Sequence, residues 1–232
     1  MASKQLVLFS VSFSIIACGP EAPWQDDAAE LGEEASACAA QFALTSPAFS
    51  DGERIPDAHT CQDKPFGAGT SPELDWARGP KPKGAQSYAV VFKDLSLTEL
   101  SPPDNRGYHW AIWDIRSHKL KAALEGEEFV SNPPHARQWS RYSPYGYLGP
   151  CPNWDPAVPP RTDTYSFTLY ALGQKIIELP PVDPALPNYV RVLDEYLSSI
   201  ALDRTELRGT SDATPTSAPV PPGPPPPPAP RP

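Results

Sequence analysis

Thr164-Tyr-Ser-Phe-Thr-Leu-Tyr-Ala-Leu172 alternates almost without exception, placing Tyr165, Phe167, Leu169 and Ala171 on one face of an extended chain. Only a β-strand has that period. Upstream, Ser87-Tyr-Ala-Val-Val-Phe-Lys93 is a compact apolar run suited to a central strand, and Tyr108-His-Trp-Ala-Ile-Trp-Asp-Ile115 combines aromatic with branched residues. A weaker alternation covers Gln41 to Thr45, before the turn residues Ser46-Pro47 and Asp51-Gly52. Proline- and glycine-rich connections separate these runs and are too long for hairpins. Downstream, Tyr189, Leu193, Tyr196, Leu197 and Ile200 recur at helical spacing, with Asn188 as N-cap and Gly209 as stop. The spacing therefore predicts a mainly β body closed by a C-terminal helix.

Composition bounds what surrounds that body. The 232 residues carry 33 prolines, eleven of them in the last 20 positions, and a formal net charge of −9. Residues 213–232 lack the apolar side chains for a core and read as a disordered polyproline tail, up to ~60 Å long at about 3.1 Å per residue. The body, residues 42–212, is mildly acidic with scattered basic residues, which excludes the electrostatic footprint of a nucleic-acid binder.

The first residues read as an address. Lys4 precedes the twelve apolar and small residues Leu6 to Ala17, and Ile15-Ile16-Ala17-Cys18 resembles a bacterial lipobox. Residues 1–17 are expected to be a lipoprotein signal peptide, with Cys18 lipidated. Residues 18–41, holding Glu21, Asp26, Asp27, Glu30, Glu33 and Glu34 and no basic residue, are expected to be an acidic, flexible tether. Gly19 after the cysteine favours an exported, outer-membrane destination.

Several short stretches occur together in a fixed order. They are Phe42-Ala-Leu-Thr-Ser-Pro-Ala-Phe49, Ile55-Pro56, Thr60-Cys61, Ser71-Pro-Glu-Leu-Asp-Trp76, Ser87 to Asp94 and His109 to Ile115. Leu124-Glu-Gly126, Tyr147-Leu-Gly-Pro-Cys-Pro152 and Tyr165 to Leu172 complete the set. The ordered set resembles the phosphatidylethanolamine-binding protein (PEBP) family, in its bacterial Raf-kinase-inhibitor-like branch. The resemblance implies a β-sandwich of antiparallel sheets with a C-terminal helix, and a small polar pocket at one end.

Residue by residue, the resemblance assigns Asp94 to the first aspartate of the family's Asp-Pro-Asp-Ala-Pro loop and His109 to its strand histidine. Tyr165 matches the tyrosine of its His-Arg-Tyr segment, and Pro150 lies in the pocket-wall loop 149–152. It also implies a disulfide between Cys61 and Cys151, leaving Cys38 free. Two departures stand out: the loop reads Asp94-Leu95-Ser96, and Asp163-Thr164 replaces His-Arg. With Asp94 and Asp163 both facing His109, the expected pocket binds phosphate weakly, prefers neutral or amine-bearing ligands, and raises the His109 pKa.

Other chemistry finds little support. His59, Cys61 and Cys151 match no zinc spacing, and no metal or cofactor is expected. Asp94, Asp163 and Glu73 lack the setting of a glycosidase pair. Nucleophile elbows and phosphate-binding glycine loops are absent from the sequence. His59, His118 and His135 read as surface histidines. The sequence thus predicts a non-enzymatic, membrane-anchored protein that binds a small polar, anion- or headgroup-like ligand. The alternative is a protease- or kinase-inhibitor-like regulator that engages a protein partner through the pocket rim or the proline-rich tail.

Overall fold

The computed structural model describes residues 41–141, 146–179 and 188–217. The expected signal peptide, Cys18, Cys38, all but the last residue of the expected tether and most of the expected tail lie outside the described residues. In chain order the elements are β1 (Leu74–Asp75), β2 (Ser87–Asp94), α1 (Leu95–Thr98), β3 (Tyr108–Ile115), β4 (Lys119–Leu120) and β5 (Arg137–Ser140). β6 (Asp163–Leu172), α2 (Tyr189–Ile200) and β7 (Ala201–Ser211) follow.

Five strands form one antiparallel sheet in the order β5-β3-β2-β6-β7, and β1 pairs with β4 in a second, two-stranded sheet. The large sheet is covered on both sides, which explains why β2 and β3 read as continuous apolar runs rather than alternations. On one side Tyr88, Val90, Phe92, Trp110, Ile112 and the expected Tyr165-Phe167-Leu169-Ala171 face pack against Leu44, Phe49, Ile55, Leu74 and Leu120. On the other, Ala89, Val91, Ala111, Trp113 and Tyr170 meet Val190, Leu193 and Leu197 of α2. The fold is the predicted antiparallel β architecture with a C-terminal helix.

One polar cluster fastens the helix to the sheet. Lys93 Nζ lies 3.0 Å from Asp194 Oδ2, and the Tyr170 hydroxyl donates to Asp194 Oδ1 at 2.6 Å. Both ion-pair partners are nearly buried, so each polar group removed from water is matched by a charged partner.

Three expectations change. The Gln41–Thr45 alternation does not become a strand; only Thr45 bridges the chain, exchanging backbone hydrogen bonds with Asp75 at 2.9 and 2.8 Å. The C-terminal helix stops at Ile200 rather than near Gly209, because the next eleven residues pair along the whole of β6 as β7. Asn188 occupies the N-cap without making a side-chain cap bond. The tail does not start at Ala213. That residue is fully buried beside Cys61 and Cys151, and the Thr214 and Thr216 amides donate to Gln62 Oε1 and the Lys64 carbonyl.

Gly209 therefore serves close packing rather than helix termination. A Cβ there would lie 2.6 Å from Ile55 Cγ1, 3.0 Å from Phe49 Cε2 and 3.1 Å from the Glu53 carbonyl oxygen. Backbone on one side leaves no room to yield. Gly209→Ala is expected to destabilise the domain by roughly 1–3 kcal/mol through overpacking, read as a lower urea midpoint at unchanged slope; an unchanged midpoint would refute this account.

Candidate functional site

At one end of the large sheet, β2, β3 and β6 deliver three polar side chains to a cavity of about 210 Å³. Asp94 ends β2 and sits directly opposite Tyr165 in the β2–β6 register. It also caps α1, accepting from the Ser96 amide at 2.9 Å. The tyrosine hydroxyl lies close enough to the Asp94 carboxyl for each to shift the other's ionisation.

His109 owes its orientation to a bulge. β3 pairs Trp110 with Phe92 and Tyr108 with Lys93, so the register passes over His109. An extra residue at a bulge re-aims its side chain, and here the ring turns onto the same face as Phe92 and Tyr165. Its centroid lies 5.5 Å from that of Phe92 and 5.7 Å from that of Tyr165. Nδ1 is 3.3 Å from the Leu148 carbonyl oxygen, an acceptor that favours the Nδ1–H tautomer.

The wall loop is held by covalent and backbone constraints. A disulfide joins Cys61 to Cys151, and the Cys61 amide donates to the Pro150 carbonyl at 3.0 Å. A Cβ at Gly149 would stand 2.7 Å from the His59 carbonyl oxygen, so this approach requires glycine. Cys151 and Pro152 line the cavity, whereas Pro150 is buried behind them. The disulfide also removes both thiols of the His59-Cys61-Cys151 set as metal ligands. Among the described residues no cluster of three or more histidine, cysteine or acidic side chains could hold a metal. His59 is buried rather than exposed, with Nδ1 2.8 Å from the Thr70 carbonyl, while His118 and His135 are at the surface.

Asp94, His109 and Tyr165 thus share one cavity, as the sequence reading grouped them. Asp163 does not join them on its surface. It is buried at the start of β6, with Oδ2 2.9 Å from Arg161 Nε. The sequence reading missed Arg161, Arg106 and Asp155, and with them the apolar rim of Phe66, Leu97, Trp154 and Val158. Apart from Leu97 of α1, these apolar rim residues lie outside the named strands and helices and carry no periodic signal. For Arg161 a signal existed: it follows Pro159-Pro160 and precedes the first strand residue by two positions.

Electrostatics at the floor is set by burial. Desolvation, then repulsion from Asp163, pushes the Asp94 carboxyl up to about 7. His109 moves opposite to expectation. Burial pulls it down to about 4, outweighing the carbonyls of Leu148 and Gly149, and the charge of Arg141 lowers it further. Neither carboxylate is a significant partner of the imidazole, which stays neutral at pH 7. Burial, with Asp94 and Asp163 nearby, raises Tyr165 well above the usual phenol range, so its hydroxyl remains protonated.

These shifts have opposite consequences for stability. The folded protein binds less proton than the unfolded chain at His109, so stability falls as pH drops from 6.5 toward 4. At Asp94 the folded state binds more, so stability falls as pH rises from 3.8 toward 7. Asp94→Asn keeps the capping oxygen and removes the second effect. It is expected to stabilise the domain on the order of 1–3 kcal/mol at pH 8, with the gain vanishing at pH 4. Thermal melts at both pH values check this; a gain that did not depend on pH would place the cause elsewhere.

Comparison with known proteins agrees with this architecture. The family model described as phosphatidylethanolamine-binding protein matches residues 45–212. A UPF0098 protein of Chlamydia pneumoniae is 30% identical over 171 residues, covering 72% of this chain and 96% of that protein. A solved structure from Chlamydia trachomatis, presented as a candidate PEBP homolog, superposes with a TM-score of 0.52 at 25% identity, covering 74% of this chain and 97% of that one. E. coli YbcL, described as a new member of the mammalian PEBP family, shares the fold, with a TM-score of 0.56 at 23% identity over 75% of this chain and all of its own. The sandwich, the cavity at its end and a family match across nearly the whole described domain lead to one conclusion: this chain belongs to the phosphatidylethanolamine-binding protein family.

Proposed function

We propose that this protein is a non-enzymatic, membrane-anchored binding protein whose cavity takes one small polar headgroup. The observation that carries this reading is the cavity itself: a polar floor of Asp94, His109 and Tyr165 beneath an apolar rim of Phe66, Leu97, Trp154 and Val158. Below about pH 7, where Asp94 is protonated, the floor offers neutral donors and acceptors under an apolar rim, which matches a ligand with a polar head and an apolar extension. Among the described cavity residues, Cys151 is held in a disulfide and Tyr165 stays protonated as a phenol, so neither supplies a nucleophile.

Anchoring rests on the sequence alone, on Ile15-Ile16-Ala17-Cys18 and the acidic stretch after it. Among the described residues no helix is long and apolar enough to cross a membrane. Two lipid signals or more are needed for firm anchoring, which a diacylglyceryl-modified Cys18 with an acylated amine supplies.

Two measurements test the reading. Titrating the protein with inorganic phosphate, phosphoethanolamine, ethanolamine and glycerol, followed by amide chemical shifts, is expected to move Asp94, His109, Cys151, Trp154 and Tyr165 with at least one probe. Shifts confined to other surfaces, or none, would count against a binding cavity here. Cys18→Ser should move the protein from the membrane to the soluble fraction; retention at the wild-type level would rule out the lipid anchor.

A further inference from the structure

Arg161 is the cavity's least committed cation. Its backbone is fixed in place. Pro159 and Pro160 restrict the approach, the Arg161 amide donates to Asn153 Oδ1 at 2.8 Å, and Asn153 Nδ2 donates to the Asp212 carbonyl at 2.7 Å. The side chain leaves this clamp toward the cavity, where Nε donates to Asp163 Oδ2 at 2.9 Å. The two partners differ sharply in exposure: the Asp163 side chain is 5% exposed and that of Arg161 39%.

That asymmetry matters because a guanidinium presents five donors in one rigid plane. Committing Nε to a buried carboxylate fixes the plane and leaves both Nη groups for other work. Among the described residues neither Nη group has a hydrogen-bond partner. Arg106, the other guanidinium on the cavity, differs in this respect: its Nε and Nη2 both donate to Asp104 Oδ2, at 2.8 and 2.6 Å.

We propose that Arg161 is the ligand-contacting cation of this cavity, that Asp163 is its positioning residue, and that the ligand is a small oxyanion bearing an apolar substituent. The proposal deepens the binding reading above and rests on it. Paired Nη donors meet a planar or tetrahedral oxyanion in two parallel hydrogen bonds. Phe66, Trp154 and Val158 supply apolar surface for the substituent. Two carboxyl groups also line the cavity. Asp155 Oδ1 is occupied by the Ala157 amide at 2.9 Å, and Asp94 holds its proton in mildly acidic solution. The carboxylate that replaces the family's histidine therefore does not repel the ligand. It aims the arginine that attracts it.

Calorimetry on the full mature chain at pH 6.5, with phenyl phosphate, benzoate and benzylamine as probes, tests this. The wild type is expected to bind both oxyanions more tightly than the amine. Arg161→Gln should weaken oxyanion binding by roughly 10- to 100-fold, the range for a hydrogen bond to a charged group. Arg161→Lys retains a charge for Asp163, guarding against loss of folding, and should fall between the two. Asp163→Asn should weaken oxyanion binding in the wild type and have no further effect in the Arg161→Gln background, a dependence that general loss of structure would not produce. Unchanged oxyanion affinity in Arg161→Gln, or an equal Asp163→Asn effect in both backgrounds, overturns the proposal. A wild type that prefers benzylamine overturns it while leaving the binding cavity intact. A wild type that binds none of the three overturns it as well, and extends to the binding reading only if the four headgroup probes also fail.

Discussion

The pairing of β2 with β6 is the constraint on which the site depends. It runs without a bulge from Ser87↔Leu172 to Asp94↔Tyr165. A strand register is specified wherever both faces are buried, because a slip of one residue turns every side chain to the wrong side. Here the two faces carry separate cores, so a slip would move Phe92 and Phe167 out of one core and Val91 and Tyr170 out of the other. The same register that buries these residues sets Asp94 across from Tyr165. The polar floor is thus a consequence of apolar packing, and its precision derives from the core.

The neighbouring strand shows the complementary device. β3 must bury Trp110, Ile112 and Ile115 against one core and Tyr108, Ala111 and Trp113 against the other. A strictly regular strand would leave His109 on the wrong side for the cavity. The bulge resolves this locally, and a second irregularity near Asp114, whose φ is +61°, restores pairing at the far end of the strand. Positive φ is costly for a non-glycine residue; Asp114 offsets part of that cost by accepting from the Ile177 amide at 2.9 Å.

How much of this was legible follows from the same physics. β2, β3 and β6 were readable because residues buried on a sheet leave composition and period in the sequence. β7 was not, since an edge strand with exposed Asp203, Arg204 and Arg208 keeps little apolar contrast, and its neighbour α2 runs into it without a break. Asp94, His109 and Tyr165 were found through family motifs on well-predicted strands. Their electrostatics was misjudged because a charge count along a sequence contains no burial term. Desolvation is the largest influence on both Asp94 and His109, and it drives them in opposite directions, toward neutrality in each case.

Asp163 shows why a substitution in a motif cannot be read alone. Replacing a cationic-capable histidine by a carboxylate reverses the local charge, and on the sequence alone that argues against an anionic ligand. Burial changes the argument, because an ionised carboxylate removed from water requires a partner. The partner within reach is Arg161, held by a stiff Pro-Pro approach and an amide bond to Asn153. The pair is close to neutral as a unit, yet its two ends face different surroundings: the negative end is buried in protein and the positive end borders the cavity. What a ligand meets is decided by which end is exposed, not by the charge of the residue that occupies the motif.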